Sequence, residues 1–488
     1  MRKYMQRGIC AFLTVCVMLC AIPYARATRF SDVPDSHWAA ADIELCASAG
    51  LINGVTPTLF GLGQPLSRAA CVVILERFFH WQAADAAILP YEDIDVSRWY
   101  APALAAAYRQ GVVTDQSHLF RPDEPITRGE FASALIRALG YKTLSGLSAP
   151  SAFADVTANT GYISLAHDMG LVNGNAGKFL PDNAATREQA AAILARLYRK
   201  LSANPRKIGV VSSSSGLWDA AGLNAVAVRA GHLTGTQDEP ISYSLDERAA
   251  DALRAQIIDS GAEAFLYLSG EVLNWNALNA VADAVRDDYA GLLLELTGNS
   301  LEAARVQSLK GLLQDKPLHL IVPAPAQTDD DYPYAALSQT ADSVAVRVLG
   351  EFRLVNGFPT DPVEPLEEVY SALRTLFGAN NAAMDASKCA LLLSATGSAW
   401  TGAVNTGLVS GAAVEELLRS ADVTTFYSER YACAYLRCAA DDERPEQVVW
   451  YPNARSVTAR VQLAKLFNLS GLVIANADGL SSSLLQAF

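Results

Sequence analysis

Three short stretches recur in phase along the first part of the chain, and no other feature restricts the fold as tightly. Leu66-Ser67-Arg68-Ala69-Ala70-Cys71 precedes Ile126-Thr127-Arg128-Gly129-Glu130-Phe131 by 60 residues, and Ala185-Thr186-Arg187-Glu188-Gln189-Ala190 follows 59 residues later. Self-similarity at a near-fixed period implies one supersecondary unit per copy, each burying its apolar face against its neighbours. The central copy reads as a helix start. Thr127 is the N-cap, Glu130 its reciprocal capping-box partner, and Ile126 with Phe131 a hydrophobic staple. Helix initiation does not require the Arg that opens every copy. A guanidinium beside a helix N-terminus would complete an anion site.

The rest of each unit aligns on these anchors. Phe30-Ser31-Asp32-Val33-Pro34-Asp35-Ser36-His37-Trp38, Tyr91-Glu92-Asp93-Ile94-Asp95-Val96-Ser97-Arg98-Trp99 and Phe153-Ala154-Asp155-Val156 open the three units. Each leads into an apolar-periodic helix that stops at Gly50, Gly111 or Gly170, the expected C-terminal glycine. The loops Leu51-Ile52-Asn53-Gly54, Val112-Val113-Thr114-Asp115 and Leu171-Val172-Asn173-Gly174 follow, and Phe60, Phe120 or Phe179 leads on to the capped second helix.

This pattern resembles the S-layer homology module, present as a triplet over residues 30 to 200. The resemblance implies an all-α, pseudo-three-fold helical prism that binds anionic, pyruvylated secondary polysaccharide of the bacterial cell wall. It also implies the ligand contacts: Asp32, Trp38, Gly54 and Arg68 in the first unit, Asp93, Trp99 and Arg128 in the second, and Asp155, Gly174 and Arg187 in the third. Three departures make the grooves unequal. Ala70 replaces the capping acid of the first unit, Asp115 replaces the loop glycine of the second, and Gly161-Tyr162 stands where the third should carry Trp. For Trp38 and Trp99 the competing reading is plain core packing.

Ahead of the repeats, Arg2, Lys3 and Arg7 precede an apolar run, Gly8 to Ile22, too short for a stable membrane span, and Ala25-Arg26-Ala27 fits a cleavage site. Residues 1–27 therefore read as a secretory signal peptide. Removing its four cations takes the formal net charge from −13 to −17. So acidic a chain argues against nucleic acid as a partner, and leaves wall binding to local Arg sites. The five cysteines beyond the leader, Cys46, Cys71, Cys389, Cys433 and Cys438, are odd in number and scattered, which fits buried free thiols. No metal pattern or nucleotide loop calls for a cofactor. The expected location is outside the cell, on the wall or S-layer.

The expected units are residues 28–84, 85–146 and 147–201, a linker at 202–206, and a second domain over 207–488. In that domain short apolar runs alternate with helical stretches. Eight strands are expected: Lys207 to Val211, Ala225 to Val228, Ala264 to Leu268, Gly291 to Leu296, Leu318 to Val322, Ser343 to Val348, Ala390 to Leu393 and Gly471 to Ala475. Near-continuous apolar strands separated by helices indicate a parallel sheet covered on both faces, and eight of them suit an α/β (β/α)8 TIM-like barrel.

Chemistry in such barrels sits at the strand C-termini. The fourth run, Tyr289-Ala290-Gly291-Leu292-Leu293-Leu294-Glu295-Leu296-Thr297, resembles the fourth strand of family 18 glycoside hydrolases, whose pattern is Asp-Gly-x-Asp-x-Asp-x-Glu. Lys388 to Trp400 looks like that family's seventh strand with its Gly and Trp, and Val449 to Val457 like the approach to its eighth. The acids are mostly gone: Ala290 and Leu293 replace two Asp, Glu295 the third, and Thr297 stands where the proton donor belongs. The sixth-strand Tyr-Asp pair is also missing, with Leu349-Gly350 in that region.

The favoured reading is a barrel that binds an amino-sugar glycan without hydrolysing it, with Trp275 and Trp400 as candidate sugar-stacking rings. A glycosidase with Glu295 as its catalytic carboxylate, aided by Glu351 or Asp478, is the alternative; a structural envelope component is the third. Against the second stands the expectation that Glu295 is held by a cation such as Arg347 inside the barrel mouth.

Overall fold

Each repeat contributes two helices: α1 (Ala40–Ser48) and α2 (Arg68–Phe79), α3 (Ala101–Arg109) and α4 (Arg128–Ala138), α5 (Thr160–Asp168) and α6 (Arg187–Leu201). The computed structural model describes residues 29–114, 117–147, 152–212, 222–286, 288–298, 301–350, 354–355, 358–359, 362–378, 383–394, 396–402, 404–420, 422–440 and 445–488. The expected leader, Asp115 and Glu351 lie outside the described residues. Gly50, Gly111 and Gly170, the stop signals of the first helices, all adopt positive φ (71°, 67° and 64°). At the second helices Thr127 with Glu130 and Thr186 with Gln189 close full capping boxes, whereas Ser67 caps Ala70 without a reciprocal partner.

The units close on one another through the backbone. Leu66 N–H donates to Ala185 O (2.8 Å), Ala185 N–H to Ile126 O (2.9 Å), and Ile126 N–H to Leu66 O (2.9 Å). This three-membered ring ties the residue before each cap to the other two repeats, so no single repeat is complete alone. Isolated antiparallel bridges, Pro65 with Thr186, Ser67 with Pro125 and Thr127 with Ala184, sit at the same hub. The all-α expectation did not include this β-type pairing.

The second domain is a closed barrel of eight parallel strands: β1 (Arg206–Val211), β2 (Ala225–Leu233), β3 (Glu263–Gly270), β4 (Gly291–Leu296), β5 (Leu318–Pro323), β6 (Ser343–Arg347), β7 (Cys389–Ser394) and β8 (Gly471–Ala475). Neighbours in sequence are neighbours in space, and β8 and β2 both pair with β1, which closes the ring. All eight expected strands are present, with β2 running five residues past its expected end. Alternate side chains fill the lumen, among them Val210, Ala227, Phe265, Leu293, Ile321 and Leu392.

Between β7 and β8 the chain makes a five-stranded antiparallel sheet, in the order 404–409, 397–401, 447–451, 433–438, 423–428. This corrects the reading of Lys388 to Trp400 as one strand: β7 ends at Ser394, and Gly397–Thr401 pairs with Gln447–Tyr451 instead of with the barrel. A helix, Gly411–Leu418, covers one face through Val414 and Leu417, while Trp400 and Trp450 pack on the other with Tyr431 and Val448.

The repeats dock on the barrel helices α7 (Leu366–Phe377) and α8 (Ala454–Leu466). Tyr141 donates to Ala459 O (2.7 Å), and Asp168 accepts from Tyr370 (2.8 Å) and pairs with Arg374 (3.2 Å). Lys200 Nζ reaches Leu466 O and Asn468 Oδ1 (both 2.7 Å), and Lys465 Nζ reaches Leu201 O (3.1 Å). The expected linker at 202–206 is therefore flanked by an interface: α6 runs to Leu201, and β1 begins at Arg206.

Candidate functional site

The Asp that opens each repeat is used by the loop that follows. Asp32 accepts the N–H groups of Phe60, Gly61 and Leu62 (2.7, 2.8 and 3.0 Å); Asp93 accepts those of Phe120 and Arg121; Asp155 those of Phe179 and Leu180. Burial raises the Asp32 pKa, but the bonds from Leu62, Phe60 and Gly61 outweigh it and hold the carboxyl below its usual value. The bond from Phe179 does most of this for Asp155. The residue after each Phe, namely Gly61, Arg121 or Leu180, has positive φ (85°, 58° and 58°), so the carboxylate holds a backbone that only glycine adopts freely. Gly54 and Gly174 are close-approach positions: a Cβ on Gly174 would lie 2.3 Å from the Phe153 ring, and one on Gly54 2.4 Å from the Leu59 carbonyl.

The three phased arginines stitch the repeats together. Arg68 Nε donates to Phe120 O (2.8 Å), Arg128 Nε to Phe179 O (2.9 Å), and Arg187 Nε to Phe60 O (2.9 Å), each guanidinium lying 4.7–5.2 Å from the centre of that phenylalanine ring. A second acceptor completes each set: Glu130 for Arg68 (2.6 Å), Gln189 for Arg128 (3.2 Å) and Asn53 O for Arg187 (2.5 Å). Each repeat thus grips the next, and the third grips the first.

Between the first and second repeats lies a groove of about 280 Å³ whose lining includes Arg68, Arg121, Glu130 and Arg137. Arg68 is paired with Glu130, so of the arginines that line this groove Arg121 and Arg137 have no ion pair among the described residues. Arg137 lies 4.6 Å from the centre of the Tyr162 ring of the third repeat, and its Nε has no hydrogen-bond partner. Arg121 carries no phased signal, its counterparts being Gly61 and Leu180; Arg137 does, since Arg77, Arg137 and Arg196 stand at the same place in the three second helices, a recurrence outside the capping stretches that defined the repeat. Trp38 and Trp99 are 65% and 61% exposed, so the core-packing reading fails for both.

In the barrel, Glu295 projects into the upper lumen above Leu293, as strand alternation requires. Its Oε1 accepts from Arg347 Nη1 (2.9 Å) and its Oε2 from the Tyr267 hydroxyl. The expectation that Arg347 holds it is met, and Tyr267 is the partner that sequence reasoning missed. Burial, then the Glu295 charge, pushes the Tyr267 phenol well up, so it stays a donor. Thr297 turns its hydroxyl to Gly270 O (3.3 Å).

Two further acids stand near strand ends. Asp478 accepts the Ser212 N–H (2.8 Å) and hydroxyl (3.0 Å). Glu364 is buried and accepts the Ser394 N–H at the end of β7 (2.6 Å); burial raises it to about 8, against the pull of Arg460 and of that bond. Trp275 is 53% exposed, but Trp400 is 2% exposed inside the inserted sheet, which corrects its reading as an exposed stacking ring. Among the described residues no cluster could hold a metal ion, and no helix is long and apolar enough to cross a membrane.

Residues 29–70, 90–132 and 152–191 each match the S-layer homology domain, one match per repeat. Over 184 residues the chain is 28% identical to the exoglucanase XynX of Acetivibrio thermocellus, covering 36% of this chain and 17% of that one. It is 28% identical over 182 residues to the S-layer protein EA1 of Bacillus anthracis, covering 36% and 21%. The chain thus spans about a fifth of these relatives' length. A chitinase structure from Chromobacterium violaceum is similar at 18% identity, with a TM-score of 0.47, over 58% of this chain and 97% of that one. The S-layer homology repeats and the S-layer relative point to the cell wall or S-layer surface as the location.

Proposed function

We propose that the repeats act as a pseudo-three-fold prism that holds this protein on anionic, pyruvylated secondary wall polysaccharide, and that the barrel binds glycan without cleaving it. The groove between the first two repeats carries the first half of this reading. Its two unpaired guanidinium groups, Arg121 and Arg137, are local cations on an acidic chain, and the exposed Trp38 and Trp99 are rings available for a sugar face. The phased arginines contribute by shaping the grooves. The occupied state of Glu295, together with a threonine at 297, supports the second half.

The full-length chain is expected to sediment with purified wall sacculi, and to stop doing so once the secondary polysaccharide is stripped from them. Replacing both Arg121 and Arg137 by Gln is expected to weaken that binding by roughly tenfold or more. Equal binding to stripped and intact walls would remove the proposed ligand.

A further inference from the structure

We infer that the barrel mouth is a site for the carboxylate of an acidic sugar, held by Arg229, Arg347 and Tyr332. The inference deepens the glycan-binding reading of the barrel and rests on it.

Three acids near the strand ends at the C-terminal rim are already engaged. Glu295 is engaged by Arg347 and Tyr267, and Asp478 accepts from Ser212. Glu364 is buried against the Ser394 N–H in a form that is largely protonated at neutral pH. Arg229 is left with no carboxylate partner among the described residues, and its Nε has no acceptor. It alternates with Ala225 and Ala227, which line the lumen, and lies opposite Tyr267 in the strand register. Its guanidinium sits 4.7 Å from the centre of the Tyr267 ring, a contact that orients the planar fork without neutralising it. Just beyond it the pairing of β2 with β3 shifts between Arg229 and Gly231, the kind of bulge that re-aims a side chain at a barrel rim.

Arg347 and Tyr332 supply the remaining donors. Arg229 lies over the Tyr267 ring, the Tyr267 hydroxyl donates to Glu295, and Arg347 bonds the other Glu295 oxygen, so the two guanidinium groups share one neighbourhood. Arg347 gives Nη1 to Glu295, while its Nε has no partner. Tyr332 lies in the segment that leaves the C-terminal end of β5, the strand paired with β6 and its Arg347; it is 6% exposed and its hydroxyl has no partner. Two guanidinium forks and a phenol form a donor set that matches a carboxylate, whereas a neutral N-acetyl sugar would leave buried donors unsatisfied.

Calorimetric titration of the full-length chain tests this with two matched pairs: N-acetylmuramic acid against N-acetylglucosamine, which differ by a lactyl carboxylate, and glucuronic acid against glucose. The acidic member is expected to bind at least roughly tenfold tighter. A preference in both pairs means that the carboxylate itself is recognised. A preference in the muramic pair alone points to peptidoglycan as the source, and in the glucuronic pair alone to a uronic polymer. Arg229→Gln is expected to erase the preference, which separates the barrel mouth from the repeat grooves. Glu295→Gln, which removes the acid competing for Arg347, is expected to tighten acidic-sugar binding several-fold. Should Arg229→Gln fail to fold, the Glu295→Gln result decides: unchanged or weaker binding overturns the inference. Equal binding within both pairs overturns it while leaving the glycan-binding reading intact, and no binding of any of the four sugars overturns both.

Discussion

The arginines of the repeats and the arginine of the barrel mouth lie over aromatic rings in the same way, yet only the former are used up. Arg68, Arg128 and Arg187 each find a carbonyl, a phenylalanine and a second acceptor on the adjoining repeat, while Arg229 finds the Tyr267 ring and no acceptor for its Nε. A residue that recurs in phase with its own partner is architecture: Phe60, Phe120 and Phe179 repeat alongside the arginines that hold them. A cation whose Nε finds no acceptor, such as Arg229 or Arg137, is the better sign of a ligand.

The largest expected effect tests that contrast directly. Arg128→Ala removes a charge-assisted bond to Phe179 O, the Gln189 contact and the ring contact, and is expected to lower stability by about 2–4 kcal/mol. Arg229→Gln, which breaks no hydrogen bond, should stay within about 1 kcal/mol of the parent. Denaturant unfolding of the full chain measures both. An Arg128→Ala protein that unfolds like the parent yet no longer binds walls would return the phased arginines to the role of anion ligands.

The parts of the molecule that sequence reasoning recovered are those governed by local or periodic rules. Cap residues, terminal glycines and apolar strand runs report their own conformation, so all six repeat helices and all eight barrel strands were legible. The inserted sheet was not, because its strands are short and Gly397 to Trp400 continues the apolar run of β7; only the antiparallel partner at 447–451 separates the two. The same limit applied to the sites. Glu295 and Arg347 could be paired in advance because both stand near the ends of inward-facing runs, on β4 and β6 with only β5 between them, but Tyr267, Tyr332 and Glu364 gain their roles from contacts distant in sequence. Trp38 and Trp400 show the cost of judging exposure by residue type: one is at the surface, the other is enclosed.

A smaller effect distinguishes a buried acid from the engaged one. Glu364 has its pKa raised by burial from an ordinary 4.5 to about 8. Between those values the folded state keeps a proton that the unfolded chain releases. Stability is therefore highest below about pH 4.5, falls as pH rises through the window to about 8, and is flat beyond it so far as this group is concerned. Glu364→Gln should remove that slope, so the melting temperatures of parent and variant should differ more at pH 8 than at pH 5. Parallel profiles would mean that the carboxyl ionises normally and would add an unpaired charge near Ser394.

The smallest expected effect is none at all. The full chain should release no product from chitin oligomers or peptidoglycan, and Thr297→Glu should not restore turnover. Losing a general acid alone costs roughly a hundred- to ten-thousand-fold in rate, and here that loss is compounded. A carboxyl at 297 would stand next to a Glu295 already bound by Arg347 and Tyr267, above Leu293, which offers no charge to share a proton. Leu349 and Gly350 place no hydroxyl or carboxylate beside an acetamido group. The Trp400 ring that could have floored a sugar site is buried in the inserted sheet. Groups that act as a unit recover little when one is restored by itself. Wild-type hydrolysis that disappears in Glu295→Gln would break the comparison from the other side, because it would mean that the engaged carboxylate works while the unpaired guanidinium does not.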